Sequence, residues 1–197
     1  MAFIKTIPED QAEGLVQKNY EINRQNFGIV PNHAKVFSLR PEAYAAWLTL
    51  SSAVRSKMRL RRYELVTFAA AMQLRCTYCM LAHGSVLHKN FFSVDQMAAI
   101  VRDFRNAGLS DEEVALMAFA QKMSANAGAV SEDDIQELRG FGLSDEEILD
   151  VVFTAAIRNF FSKSIDALGA VPDDIYLELE PELVKVLVIG RPFPDEA

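Results

Sequence analysis

The 197-residue chain has only two cysteines, Cys76 and Cys79, three residues apart, and His83 follows four residues further on. On a helix these three positions fall within roughly 60° of one another, so two sulfurs and one imidazole share a face. That arrangement is a dithiol with a proton carrier beside it. A thiol reacts as its thiolate, and the first turn of a helix favours negative charge through its unpaired N–H groups and the macrodipole. Cys79 holds such a position if a helix starts near Cys76. His83, one turn beyond Cys79, could hold the thiolate, relay its proton or hydrogen-bond a bound peroxide. Glu64 lies one helix earlier among Tyr63, Leu65, Val66 and Phe68. A carboxylate drawn into such an apolar wall is a candidate general base.

Blander readings of the same residues exist. Free cysteines are often core residues, but a core role does not account for their spacing with His83 in phase. Zinc would find only three ligands in Cys76, Cys79 and His83, and no metal is expected. His33, after Pro31-Asn32, reads as a turn or surface histidine, and His88 reads likewise at a helix end. Away from the cysteines, Glu64 would read as a solvated or salt-bridged residue near Arg61 and Arg62. A bridge between Cys76 and Cys79 closes too short a ring to staple a fold. In a reducing compartment the pair therefore reads as catalytic, redox-sensing or metal-binding.

The elements that must carry these residues are helical. Apolar positions recur at helical spacing almost throughout and alternating runs are scarce, so the chain reads as all-α. Expected helices run over residues 10–27, 42–54, 60–75, 76–90, 93–107, 110–125, 131–139 and 144–168, with a short one near 175–179. Ser93 with Gln96, Ser110 with Glu113 and Ser144 with Glu147 each fit a capping box. Stops are expected at Gly108, Gly128, Gly140, Gly142 and Gly169. Asn26 to Pro31 reads as a turn, with Pro41 restarting the next helix. Gly108-Leu-Ser-Asp-Glu-Glu-Val recurs as Gly142-Leu-Ser-Asp-Glu-Glu-Ile, and the simplest account is one favourable helix start used twice.

With 50% hydrophobic residues the chain can build one substantial core. A single domain over 1–197 is expected, its core at about 20–172 and an extension at 173–197. Net charge is −7, and Lys and Arg are scattered apart from Arg59, Arg61 and Arg62, which argues against nucleic acid. No apolar run has the length of a membrane span or signal peptide, so a cytoplasmic protein without membrane partners is expected. No haem, flavin or nicotinamide motif is visible, and no cofactor is called for. Phe91-Phe92, Phe119, Met123, Phe153 and Phe160-Phe161 read as core or subunit interface.

The register Glu64, Cys76, Cys79, His83 resembles the alkylhydroperoxidase D and carboxymuconolactone decarboxylase superfamily. Phe27-Gly-Ile-Val-Pro-Asn32, Arg40-Pro-Glu-Ala-Tyr-Ala-Ala-Trp47, Leu143-Ser-Asp-Glu-Glu-Ile-Leu and Asp166-Ala-Leu-Gly169 look like its peroxidase-related branch, so the likeness spans about 20–172. The resemblance implies an all-helical fold of two related halves, assembled as trimers or hexamers. It implies that Cys79 attacks a hydroperoxide, that Cys76 resolves the sulfenic acid to a disulfide, and that Glu64 and His83 manage protons. It further implies re-reduction by a dithiol such as a lipoyl group or a thioredoxin-like protein, or service to a peroxiredoxin. Two alternatives use the same pair: a general dithiol-disulfide oxidoreductase, and a redox-switched oligomeric binding protein without turnover. The superfamily's decarboxylases generally lack the cysteine pair, which ranks a lyase last. Between the cysteines, where the family's best-studied peroxidases carry a second histidine, this chain has Tyr78, and a phenol of pKa about 10 is a poorer proton carrier near neutral pH.

Overall fold

A computed structural model describes residues 2–192. Ten α-helices are present among these residues, without strands: α1 Gly14–Phe27, α2 Asn32–Val36, α3 Pro41–Arg55, α4 Leu60–Leu74, α5 Thr77–Asn90, α6 Val94–Asp103, α7 Asp111–Asn126, α8 Glu132–Gly140, α9 Asp145–Ala167 and α10 Pro181–Leu187. The all-α expectation holds. Two elements differ from the sequence reading. Residues past Pro31 form the short α2 and a 3-10 turn, Phe37–Leu39, because Pro31 pre-sets a helix start that the turn reading overlooked. The chain beyond 172 adds α10, whose Leu183 and Leu187 are fully buried, so the core extends past residue 172. Residues 193–197 of the expected extension lie outside the described residues.

Helix α4 is the axis of the molecule. Every residue from Tyr63 to Ala71 is buried, and the helix packs against α5, α7 and α9. A helix covered on all sides must be apolar all round, and Leu65, Val66, Phe68 and the small run Ala69-Ala70-Ala71 supply that. Burying Phe68 alone contributes about 2–3 kcal/mol relative to leaving it exposed.

The three expected capping boxes form, at Ser93–Gln96, Ser110–Glu113 and Ser144–Glu147. Two of them do more than cap. Glu113, at the start of α7, accepts from Arg61 at 2.5 Å, and Glu147, at the start of α9, accepts from Arg62 at 2.8 Å. The recurring Gly-Leu-Ser-Asp-Glu-Glu segment thus starts the two helices that flank α4 and fastens both to consecutive arginines in its first turn. Gly108 and Gly142, with φ of 76° and 87°, make the left-handed turns before these starts.

Candidate functional site

The site is made by the sharp turn between α4 and α5. Arg75 closes α4 in the left-handed region, at φ 55° and ψ 36°, the one non-glycine residue with positive φ among those described. Such a conformation costs on the order of 1–3 kcal/mol and persists where the surroundings impose it. Here the Cys76 N–H bonds the Ala71 carbonyl at 3.1 Å, and the Cys76 carbonyl accepts from Met80 at 2.9 Å. Cys76 therefore closes one helix and opens the next. Cys79 is the third residue of α5, within the first turn as expected, and both cysteines are free and buried. The segment after α10 lies across this turn, with the Gly190 N–H donating to Thr77 Oγ1 at 3.0 Å.

All four expected residues converge. Glu64, on α4, is 2% exposed, as its apolar neighbours foretold, and its Oε2 lies 2.7 Å from Nδ1 of His83 on α5. Arg61 and Arg62, the bland partners of Glu64, pair with glutamates of other helices instead.

Around Cys79 the structure adds residues that sequence reasoning missed. Arg158 of α9, 4% exposed, donates from Nη1 to Cys79 Sγ at 3.3 Å, and the Ser162 hydroxyl donates at 3.1 Å. Both lie on one face of α9, four residues apart. A helical pattern with a buried arginine in an apolar stretch (Ala155-Ala-Ile-Arg158-Asn-Phe-Phe161) was the available signal, because arginine is almost never buried without a partner. Asp166, one turn past Ser162, hydrogen-bonds Cys76.

These contacts divide the two sulfurs. Burial alone would push the Cys79 thiol up, but hydrogen bonding from Cys76, the Arg158 and His83 charges and the Ser162 hydroxyl outweigh it, and the group lies well below an ordinary thiol. Cys76 moves the other way, because its hydrogen bond to Cys79, its burial and the negative charges of Cys79 and Asp166 all favour the neutral form. The contacts thus favour a thiolate at Cys79 beside a protonated Cys76. Helix-dipole reasoning on the sequence could not choose between them, and Arg158 and Ser162 both donate to Cys79.

His33 corrects the sequence reading. It is only partly exposed: α2 carries it into a cage where its ring meets Phe161 at 5.2 Å, Tyr78 at 5.5 Å, and Phe27 and Tyr44 at 6.3 Å. Nothing in the local sequence, a polar residue after Pro31-Asn32, announced that enclosure. Nδ1 lies 3.0 Å from the Tyr78 Oη, and Tyr78 donates to Oδ2 of the buried Asp173. Burial, with the charges of Arg158 and His83, lowers the His33 imidazole to about 3. His88 stays at the end of α5, with Nδ1 3.0 Å from the Phe92 carbonyl and Nε2 3.3 Å from Glu180.

Among the described residues no group of three or more His, Cys, Asp or Glu side chains is arranged to hold a metal ion. No helix among them is long and apolar enough to cross a membrane.

The pattern of the carboxymuconolactone decarboxylase family matches residues 41–122, the segment that carries Glu64, both cysteines and His83. Comparison with curated proteins finds no match. Among solved structures, the chain is similar to the alkylhydroperoxidase AhpD core of a peroxidase-related protein from Ralstonia eutropha, with TM-score 0.76 at 20% identity over 96% of this chain and 98% of that one. A peroxidase-related protein from a Silicibacter species gives TM-score 0.73 at 23% identity over 89% and 91%. The debrominase Bmp8 gives 0.71 at 14% identity over 92% and 96%. At these identities the likeness concerns the fold.

Proposed function

We propose that this chain, which belongs to the carboxymuconolactone decarboxylase superfamily, is a thiol-dependent peroxidase that reduces hydroperoxides through the Cys76–Cys79 dithiol. The observation that carries the reading is the division of labour between the sulfurs: Arg158 and Ser162 hold Cys79 as a thiolate while Cys76 keeps its proton. That is the polarity a two-step peroxidase cycle requires. The Cys79 sulfur attacks the terminal peroxide oxygen; the O–O bond breaks, an S–O bond forms, and one proton is taken up to release the alcohol. The Cys76 sulfur then attacks the sulfenic sulfur, its proton leaves with the hydroxyl as water, and a disulfide remains. A dithiol of the lipoyl or thioredoxin-like class, or a coupled peroxiredoxin, returns two electrons and two protons. Glu64 orients His83 through the 2.7 Å contact at Nδ1, so that the pair can carry the protons that both steps move.

Copies of the chain associate in this reading. Leu149, Phe153 and Phe160 are 48%, 42% and 50% exposed and lie within about 40° of one another on α9, an apolar flank suited to a second copy.

The test is consumption of an organic hydroperoxide with dihydrolipoamide as reductant, against the Cys79→Ser and Glu64→Gln variants. Sustained turnover abolished by C79S and lowered about 10²-fold by E64Q is expected. Peroxide consumption untouched by C79S sinks the reading. A single stoichiometric oxidation favours a redox switch, and disulfide reduction that survives E64Q favours a general dithiol oxidoreductase. One observation supports a second substrate: Arg158 lies over Phe161 at 5.2 Å, Phe161 stacks on Trp47 at 4.3 Å, and this aromatic wall beside Cys79 accompanies a fold shared with a debrominase. Bromide release from 2,3,4-tribromopyrrole, dependent on Cys79, would establish reductive dehalogenation.

A further inference from the structure

Every group bonded to the Cys79 sulfur is a donor: Arg158, Ser162 and Cys76 hold the thiolate but cannot take a proton from an approaching hydroperoxide. The Glu64–His83 pair supplies one acceptor. A second imidazole reaches the same cluster from a distant part of the chain, since the His33 ring meets Phe161 at 5.2 Å and the Arg158 guanidinium that donates to Cys79 lies over that same ring at 5.2 Å.

The hydrogen bonding of that ring is determined by its partners. Asp173 accepts from the Asn32 N–H at Oδ1, 2.8 Å, and from the Tyr78 hydroxyl at Oδ2. With its hydrogen spent on the carboxylate, Tyr78 Oη can only accept from His33, and it does so from the backbone N–H at 3.4 Å and from Nδ1 at 3.0 Å. Nδ1 therefore carries the imidazole hydrogen and Nε2 keeps its lone pair. Among the described residues Nε2 has no hydrogen-bond partner, and it is not one of the sealed unpartnered atoms, which are Trp47 Nε1, Thr67 Oγ1 and Arg158 Nε. An oriented imidazole with one nitrogen locked and the other free is the arrangement of a general base. Asp173 at the far end also lines a cleft of about 580 Å³ with Asn32, Lys35, Asp174 and Glu178, so the chain of bonds joins the buried site to solvent.

We propose that His33 is a second catalytic proton-transfer group of the dithiol site, and that Tyr78 and Asp173 are positioning residues that fix its tautomer. This rests on the peroxidase reading. Nε2 takes the hydrogen of the terminal peroxide oxygen as the Cys79 sulfur bonds to that oxygen, and hands it to the oxygen leaving as the O–O bond breaks. The products of the step are the alcohol and a Cys79 sulfenate, whose negative charge stays against Arg158. Atoms and charge balance, since one thiolate and one hydroperoxide give one sulfenate and one alcohol. Resolution by Cys76 then consumes the Cys76 proton and one further proton to release water, and the Asp173 end of the chain faces the cleft from which that proton is drawn. The substrate class is accordingly a neutral hydroperoxide that still bears its hydrogen.

Two measurements test this. Nitrogen NMR of the wild-type protein at neutral pH should show His33 neutral with hydrogen on Nδ1, and Tyr78→Phe should shift it toward the Nε2–H form. In single turnover, His33→Gln should slow Cys79 oxidation by tert-butyl hydroperoxide at least tenfold while changing alkylation of Cys79 by iodoacetamide, which needs no proton acceptor, less than twofold. Tyr78→Phe, which keeps the imidazole and the packing, should slow oxidation by a smaller factor with alkylation again unchanged. An Nε2–H tautomer in the wild type overturns the proposal, as does a His33→Gln variant that slows both reactions equally or neither. Absence of peroxide consumption by the wild type would instead sink the peroxidase reading, so the two failures are distinguishable.

Discussion

Replacing Arg158 by methionine should move the ionisation of Cys79 upward without unfolding the protein. Methionine matches the length of the arginine stem, fills the same buried volume and brings no donor. At the observed 3.3 Å between Nη1 and Sγ, Coulomb attraction at an effective dielectric of about 20 is on the order of 5 kcal/mol before any desolvation cost. Hydrogen bonds to charged groups contribute about 1.5–3 kcal/mol in mutational series, and that lower range governs because desolvation of both ions offsets the rest. At about 1.36 kcal/mol per pKa unit, the Cys79 midpoint should rise by about one to two units. The assay is the rate of iodoacetamide alkylation against pH, with the Cys79 adduct followed by mass spectrometry. Thermal stability should stay level or rise, since an apolar replacement for a buried ion pair is often neutral or stabilising. A folded R158M protein whose midpoint stays within roughly 0.3 unit, a small fraction of the expected shift, would refute the assignment of Arg158 as the cation that sets the thiolate.

Two further outcomes follow from residues outside the reacting sulfurs. His33 folds neutral, its imidazole lowered to about 3 by burial and by the neighbouring Arg158 and His83, with Tyr78 bonded to its ring and to Asp173. The unfolded chain binds that proton first, near the ordinary value of about 6.5. Stability from this group is therefore complete above that pH and declines as pH falls toward 3, by up to about 1.4 kcal/mol per unit; urea midpoints at pH 7, 5 and 4 should converge between wild type and His33→Gln, and a constant gap would contradict the assignment. At Gly84 an added Cβ would meet Leu187 Cδ2 of α10 at 2.5 Å. Gly84→Ala should therefore destabilise by about 1–3 kcal/mol through overpacking, and adding Leu187→Ala should recover part of that in a double-mutant cycle read by thermal melting; strict additivity would place α10 elsewhere.

Cys76, Cys79 and His83 were legible because helical geometry alone aligns them, whereas Glu64 was singled out by the register it shares with the family the chain resembles. The helix starts were legible for an equally local reason: a capping box is written within four residues. What escaped was whatever long-range packing decides. Arg158 and Ser162 belong to a helix almost eighty residues past Cys79, and only the packing of α9 against α4 brings them to the sulfur. His33 reads as a loop histidine in its own neighbourhood, and becomes part of a buried chain only because Asp173, 141 residues beyond Asn32, accepts the Asn32 N–H and the Tyr78 hydroxyl together. The repeated Gly-Leu-Ser-Asp-Glu-Glu segment shows both sides: its capping role was readable, but its pairing with Arg61 and Arg62 was not, because those arginines seemed equally available to Glu64.

Burial of the dithiol explains why the site needs so many charges arranged in opposition. An ionised sulfur sealed from water is costly unless paired, and both sulfurs here are almost wholly covered. Arg158 donates to Cys79, and Glu64 pairs with Nδ1 of His83 at 2.7 Å. Asp166 sits instead beside Cys76, where a negative neighbour favours the protonated thiol. A carboxylate at Cys79 or an arginine at Cys76 would invert the polarity and leave the nucleophile neutral. The contrast between the two sulfurs thus follows from the level along α9 at which the cation and the anion sit, Arg158 and Ser162 at Cys79 and Asp166 one turn further at Cys76, rather than from the order of the two cysteines along α5.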